Sequence, residues 1–320
     1  MKFLMRFLAV ALVLTSRAWA QPVTIEVDAP QDVYLPGETV QLHVHIKNNS
    51  GRRLHFGEDP EWLAFSVTAH NRKQVPKLRP LDVEGEFDLE SGFQATRKVK
   101  INPAYNLNAL GFYLATATVR VRELEVELTS PVPCKFEVIR GLKLWDQDFG
   151  VPLREGEPVS TAPETRRFSL VQLRTTNQIR LYYRLADASD VVPIRVMSLG
   201  QHVAFTPPEA QMDRYCNLHV LFQSYRRTFT HSIISADGEL LGRSAYDVGT
   251  SRPALKLDEK NHVVVSGGFR MNSTNDIPPI PRSMIPRPLP PLPPATATPA
   301  KDSTKKDSKK KDPAVAKPKK

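Results

Sequence analysis

Between Val23 and Ile139 the chain alternates hydrophobic and polar residues with a period of two, not the 3.6 of a helix. Val40, Leu42, Val44 and Ile46 alternate with Gln41, His43, His45 and Lys47, the pattern of a strand with one buried face. Similar runs recur at 23–27, 63–67, 94–101, 112–122 and 135–139, divided by turn material such as Pro36-Gly37, Asn48-Asn49-Ser50-Gly51 and Asn102-Pro103. Six or seven short strands in a span of this length predict an antiparallel β-sandwich over residues 21–140. Within it, only 104–110 reads as a short helical turn.

The segment Tyr34-Leu35-Pro36-Gly37-Glu38-Thr39-Val40, followed by Leu42, Val44, Ile46 and Asn48, resembles the opening of bacterial extracytoplasmic Ig-like domains. It is similar to macroglobulin-type domains and to the Ig-like domains of the intracellular proteinase inhibitor type. Gly111-Phe112-Tyr113-Leu114-Ala115 resembles the penultimate strand of such domains. The resemblance implies an Ig-like sandwich over residues 22–140 and, through the inhibitor family, a regulator acting on an endopeptidase. It carries over no thioester chemistry, because that motif is not in the sequence.

Residues 141–165 break the alternation with Trp145, Asp148, Phe149 and Gly150 and then Pro152, Pro158 and Pro163, and read as a connector. Asp148-Phe149-Gly150 spells the metal-binding triplet of kinases, but no Gly-rich loop, strand lysine or catalytic loop accompanies it. From 166 to 273 a faint repeat aligns Asn177, Asn217 and Asn261, each ahead of an apolar run. Strands at 228–235 and 239–244 are joined by Ala236-Asp237-Gly238, and Asp-Gly favours a tight hairpin. The spacing resembles β-propeller blades of about 40–45 residues. The span holds only two or three of them, where propellers typically use about 4–8. Either chains assemble, or the repeat closes another way, or the match is coincidence. The expected class is all-β: an Ig-like sandwich, a second all-β domain with blade-like hairpin repeats at 166–273, and a disordered tail at 274–320.

Twelve of the 28 prolines fall after residue 276, and nine lysines lie between 301 and 320. Such a stretch buries too little apolar surface to offset its ordering entropy. Its proline-rich half favours extended polyproline II, a semi-rigid spacer. Arg287-Pro288-Leu289-Pro290-Pro291-Leu292-Pro293 also looks like a ligand of SH3 domains, although a spacer needs no such reader. At the other end, Lys2 and Arg6, the apolar run 7–14 and Ala18-Trp19-Ala20 have the layout of a secretory signal peptide over 1–20. The chain is therefore expected to be exported, periplasmic or extracellular, with no transmembrane segment.

Charge then sharpens the picture. The net +10 divides into +3 within 1–20 and +7 within 274–320, which leaves 21–273 neutral. That distribution excludes a basic nucleic-acid-binding domain as the default. Lys305, Lys306, Lys309, Lys310, Lys311, Lys317, Lys319 and Lys320 are candidates for anchoring to an anionic polymer or surface. No aromatic residue interleaves them for base stacking.

Candidate chemistry is sparse. His43 and His45 project from one strand face about 6.6–6.8 Å apart and could share a metal if His55, His70 or a carboxylate joined them. The bland reading is a solvated strand face. Export makes a Cys134–Cys216 disulfide a candidate, against two separate buried thiols. Glu86, Asp88 and Glu90 cluster as carboxylates on turns commonly do. The His-Glu-x-x-His, Gly-x-Ser-x-Gly, phosphate-loop and Cys-x-x-Cys motifs are all missing, so neither a cofactor nor catalysis is expected. The reading is an exported, non-catalytic binding or scaffold protein whose partner is an envelope or surface protein or an anionic polymer. The alternative is a proteinase inhibitor acting through the first sandwich.

Overall fold

The structure is a computed structural model describing residues 21–81, 83, 85–151 and 164–278. The signal-like segment, the tail lysines and most of the proline-rich run lie outside the described residues. The described residues are all-β, with one 3-10 turn among them at Arg122–Leu124.

The first unit holds β1 (Val23–Asp28), β2 (Val33–Tyr34), β3 (Gln41–Asn48), β4 (Leu54–Phe56), β5 (Leu63–Ala69), β6 (Phe87–Leu89), β7 (Gln94–Lys100), β8 (Gly111–Val121), β9 (Val126–Thr129) and β10 (Cys134–Val138). One sheet runs β1-β3-β7, the other β2-β10-β8-β5 with β9 also on β8, and β4 pairs β6 as a ribbon. The alternation explains the packing. Leu42, Val44 and Ile46 of β3 share one core with Tyr113, Ala115 and Val119 of β8, while the intervening polar residues face out. The chain changes sheets between β1, antiparallel to β3, and β2, parallel to β10. Pro30 stands in that break, where its missing N–H costs no ladder bond.

The second unit consists of two successive meanders. The first is β11 (Leu142–Gly150), β12 (Thr165–Arg174), β13 (Ile179–Asp187) and β14 (Pro193–Gln201). The second is β15 (Glu209–Met212), β16 (Leu218–Gln223), β17 (Thr228–Ile234) and β18 (Leu240–Asp247). A hairpin of β19 (Ala254–Leu257) and β20 (Val263–Ser266) follows, and β21 (Phe269–Met271) returns to pair β18. The meanders pack through Phe168, Leu170, Tyr183 and Leu185 on one side and Leu218, Val220, Phe222 and Ile234 on the other. The opposite face of the first meander offers Val171, Leu173, Tyr182 and Val196, which close on Leu35 of the first unit. The two units thus share a small core. Gly141 at the crossing has φ +68°, and a Cβ there would lie 2.6 Å from Val171 Cγ1, so only glycine fits without displacement.

The structure revises several expectations. Residues 142–150 form β11, so the first part of the connector is regular strand; residues 152–163 lie outside the described residues. In the kinase-like triplet, Asp148 pairs with Arg167 and Phe149 stacks on Phe168, which makes it strand packing. At 101–105 there is one turn, with Ala104 and Tyr105 N–H both donating to Ile101 C=O, and no helix. Ordered packing continues past 273, since Ile277 and Arg243 exchange both backbone hydrogen bonds.

The asparagine repeat is a turn repeat in a slightly different register. In Asp213–Asn217 and Asp258–His262 the aspartate side chain accepts the backbone N–H of the fifth residue, at 2.9 and 2.7 Å. The fourth residues, Cys216 and Asn261, are left-handed at φ +60° and +57°. Asn217 therefore corresponds to His262, not Asn261. Ser235–Glu239 builds the same turn with serine in the aspartate's place and Gly238 at φ +77°.

Candidate ligand-binding cleft

At one end of the first sandwich the residues after β4 and before β5 fold over the end of β8. Asp59 shapes this turn: its side chain accepts Glu61 N–H at 2.9 Å and its carbonyl accepts Trp62 N–H at 3.0 Å. Trp62 C=O then accepts Arg120 N–H at 2.8 Å, tying the turn to β8. The result is a cleft of about 780 Å³ lined by residues 55–59, Trp62, Arg120, Arg122 and Glu123.

Its floor is aromatic. Phe56 stacks on Phe87 at 5.2 Å between centroids, Trp62 leans on both, and the Arg97 guanidinium lies 3.8 Å over Phe87. Trp62 is buried, yet its indole Nε1–H has no hydrogen-bond partner. An unpaired buried donor costs about 1–3 kcal/mol, so a ligand acceptor reaching it would recover a deficit built into the free protein.

The rim alternates in sign. Arg122 pairs with Glu58, and Arg120 with Asp59 at 2.9 Å and Glu127 at 2.7 Å. His55 sits 2.9 Å from Asp88, which also pairs with Arg53. The hydrogen bond from Arg122 holds Glu58 below the usual carboxylate range, the Glu61 N–H does the same for Asp59, and Arg53 for Asp88. Asp88 in turn raises His55. Glu58, Asp59 and Asp88 are thus held as anions near neutral pH, suited to matching charges on a ligand rather than to moving protons. A second cavity of about 290 Å³ lies beyond Arg120, lined in part by Leu63, Lys77, Leu81 and Glu127.

Most of the residues singled out from sequence lie elsewhere. His43 and His45 share a face of β3, and Asp28 of β1 stands between them at 3.4 and 3.2 Å. His45 Nδ1 is also 2.8 Å from Thr96 Oγ1. His55 belongs to the cleft, His70 packs near Phe112, and no group of three or more His, Cys, Asp or Glu among the described residues could hold a metal. Cys134 and Cys216 are both free thiols. The candidate bridge is not made because Cys134 packs in the sandwich core, whereas Cys216 occupies a turn of the second unit, its Sγ 3.5 Å from Gly150 C=O. Of the carboxylate trio, Glu86 and Asp88 approach His55, and Glu90 approaches Arg53.

Sequence reasoning passed over the cleft. Its signals were the acidic turn Glu58-Asp59-Pro60-Glu61 ahead of a lone tryptophan and the arginines at alternate positions 120 and 122. It also passed over a buried polar chain in the second unit, from Asp213 to His219 to His231.

No family model and no curated relative matches the chain. Among solved structures it is similar to the sporulation control protein Spo0M from Bacillus subtilis, 9% identical over 56% of this chain and 90% of that one, with a TM-score of 0.28. It is also similar to the E. coli chaperone DraB, 9% identical over 70% of this chain and 98% of that one, with a TM-score of 0.22. Likenesses at these scores bear on neither mechanism nor partner. No helix among the described residues is long and apolar enough to cross a membrane.

Proposed function

We propose that this chain is an exported, non-catalytic binding protein of the cell envelope or surface, and that the cleft around Trp62 takes an extended polypeptide segment of its partner. The observation that carries the reading is a cleft floored by Phe56 and Trp62, the latter with a buried unpaired indole N–H, whose rim holds charges of both signs. A peptide supplies backbone acceptors, apolar side chains and charges of either sign at the spacing of two neighbouring pockets. Arg120, between the two cavities, is placed to separate successive side chains.

The switch of the first segment from β1 to a parallel pairing of β2 with β10 suits an Ig-like sandwich, and the stacked meanders suit two propeller-like blades. In this reading the second unit braces the first through Leu35 and carries the tail, whose lysines tether the protein to an anionic surface.

The test presents a random displayed-peptide library to residues 21–320 and to the double variant Arg120→Glu, Arg122→Glu. Both side chains are exposed and their ion pairs contribute little to stability, so the variant is expected to fold. The wild type should enrich peptides with an apolar anchor beside charged residues, and the variant should lose them. Equal enrichment by both proteins would remove the cleft from the argument.

A further inference from the structure

One end of the second unit presents a row of exposed aromatic rings. Phe205, on the β14–β15 loop, is 93% exposed; Tyr225, in the β16–β17 turn, is 59% exposed; Phe269, at the start of β21, is 65% exposed. Gln223 ties the first two segments together. Its carbonyl accepts Val203 N–H at 2.9 Å, its Oε1 accepts from Thr206 Oγ1 at 2.9 Å, and its Nε2 donates to Arg226 C=O at 2.8 Å. Just past the turn, Thr228 pairs with Asp247, which pairs with Phe269. The row therefore crosses the end of the sheet from β16 to β21, three strand spacings or about 14 Å.

Single exposed apolar residues are ordinary, but a row of three on one edge is a contact surface. Cations accompany it. Arg226 is exposed and makes no side-chain hydrogen bond or ion pair among the described residues, while Arg227 reaches Asp247 at 3.3 Å and Val248 C=O at 2.8 Å. Phe205 and Tyr225 stand on turns and Phe269 at the start of a strand, an exposed edge that suits a yielding surface better than a folded protein or a strand of nucleic acid.

We infer that this end docks on an anionic lipid surface, with Phe205, Tyr225 and Phe269 entering the boundary between headgroups and acyl chains and Arg226 facing lipid phosphates. Aromatic side chains favour that depth, Tyr because its ring is apolar and its hydroxyl polar. The lysine-rich segment beyond Pro278 supplies the second attraction that stable peripheral binding needs. The attraction of the lysines is screened by salt, whereas ring insertion is not. This inference is independent of the cleft.

The experiment sediments residues 21–320 with vesicles of equal parts phosphatidylcholine and phosphatidylglycerol, at low and high salt. It repeats this with the double variant Phe205→Ser, Tyr225→Ser, its fold checked by circular dichroism. Wild type should bind at low salt and retain part of that binding at high salt. The variant should lose the salt-resistant part, with partitioning weaker by roughly tenfold or more. Equal binding of both proteins would assign the attraction to the lysines alone and overturn the inference, as would no binding by the wild type. So would unchanged vesicle binding alongside weakened binding of an oligothymidine strand, which would assign the rings to base stacking.

Discussion

His219 and His231 stack inside the second unit with ring centroids 5.2 Å apart and Nδ1 of the first 3.1 Å from Nε2 of the second. Asp213 Oδ2 lies 3.4 Å from the other nitrogen of His219. The contacts fit one proton arrangement: His219 donates from Nε2 to the carboxylate and accepts at Nδ1 from His231. Burial, then the charge of His219, lowers His231 from 6.5 to about 3. The unfolded chain therefore takes up this proton first as pH falls. The stability is fully present above about pH 6.5 and is lost progressively as the pH falls toward about 3. Urea midpoints should fall from pH 7 to pH 5, and His231→Gln should flatten the slope by about one proton. An unchanged slope in the variant would assign the acid sensitivity to other groups.

How legible these features were depended on whether a segment has one dry face. Leu42, Val44 and Ile46 alternate because β3 lies between solvent and core. In β11, Leu142 and Lys143 are both exposed and the register slips between Lys143 and Trp145, so an edge strand looked like a linker. The Asp213 turn was visible only as an asparagine match, because the repeating element is an aspartate or serine followed three places later by a left-handed residue. The cleft was illegible for a further reason. Trp62 and Arg120 meet only when β5 pairs with β8, and the alternation within each strand does not disclose that partnership. His219 and His231 likewise become neighbours only through the register of β16 with β17.

The thiols make a separate prediction. Burial pushes Cys134 up to about 11 and raises Cys216 as well, so both are protonated at neutral pH and attack slowly. Alkylation in denaturant without reductant should add two groups to the intact mass. In the native protein Cys216, which is partly exposed, should react before Cys134. A mass that accepts no label until a reductant is added would mean the two are bridged.

Leu35 is the residue of the first unit buried in the small core it shares with Val171, Leu173 and Tyr182. Leu35→Ala should cost about 2–5 kcal/mol if the cavity does not collapse, and the loss falls on the junction rather than on either sandwich. Scanning calorimetry should therefore resolve two transitions in the variant where the wild type shows closer coupling. A single transition shifted down intact would mean that other contacts, such as Thr176 with Asp32, carry the coupling.

The repeated turn points to a stabilising change. Gly238, Asn261 and Cys216 occupy its left-handed position, and glycine and asparagine are the residues that tolerate it. The cysteine side chain makes no hydrogen bond there beyond a 3.5 Å contact from its thiol to Gly150 C=O. Cys216→Asn should relieve left-handed strain without the extra unfolded-state freedom of glycine, a gain of about 0.5–1 kcal/mol. The matching control is Asn261→Ala, which puts a poorly suited residue at the equivalent position and should cost about 1 kcal/mol. Denaturant titrations of the two variants should move in opposite directions. If Cys216→Asn instead loses stability while Asn261→Ala behaves as stated, the thiol contact to Gly150 outweighs the backbone strain.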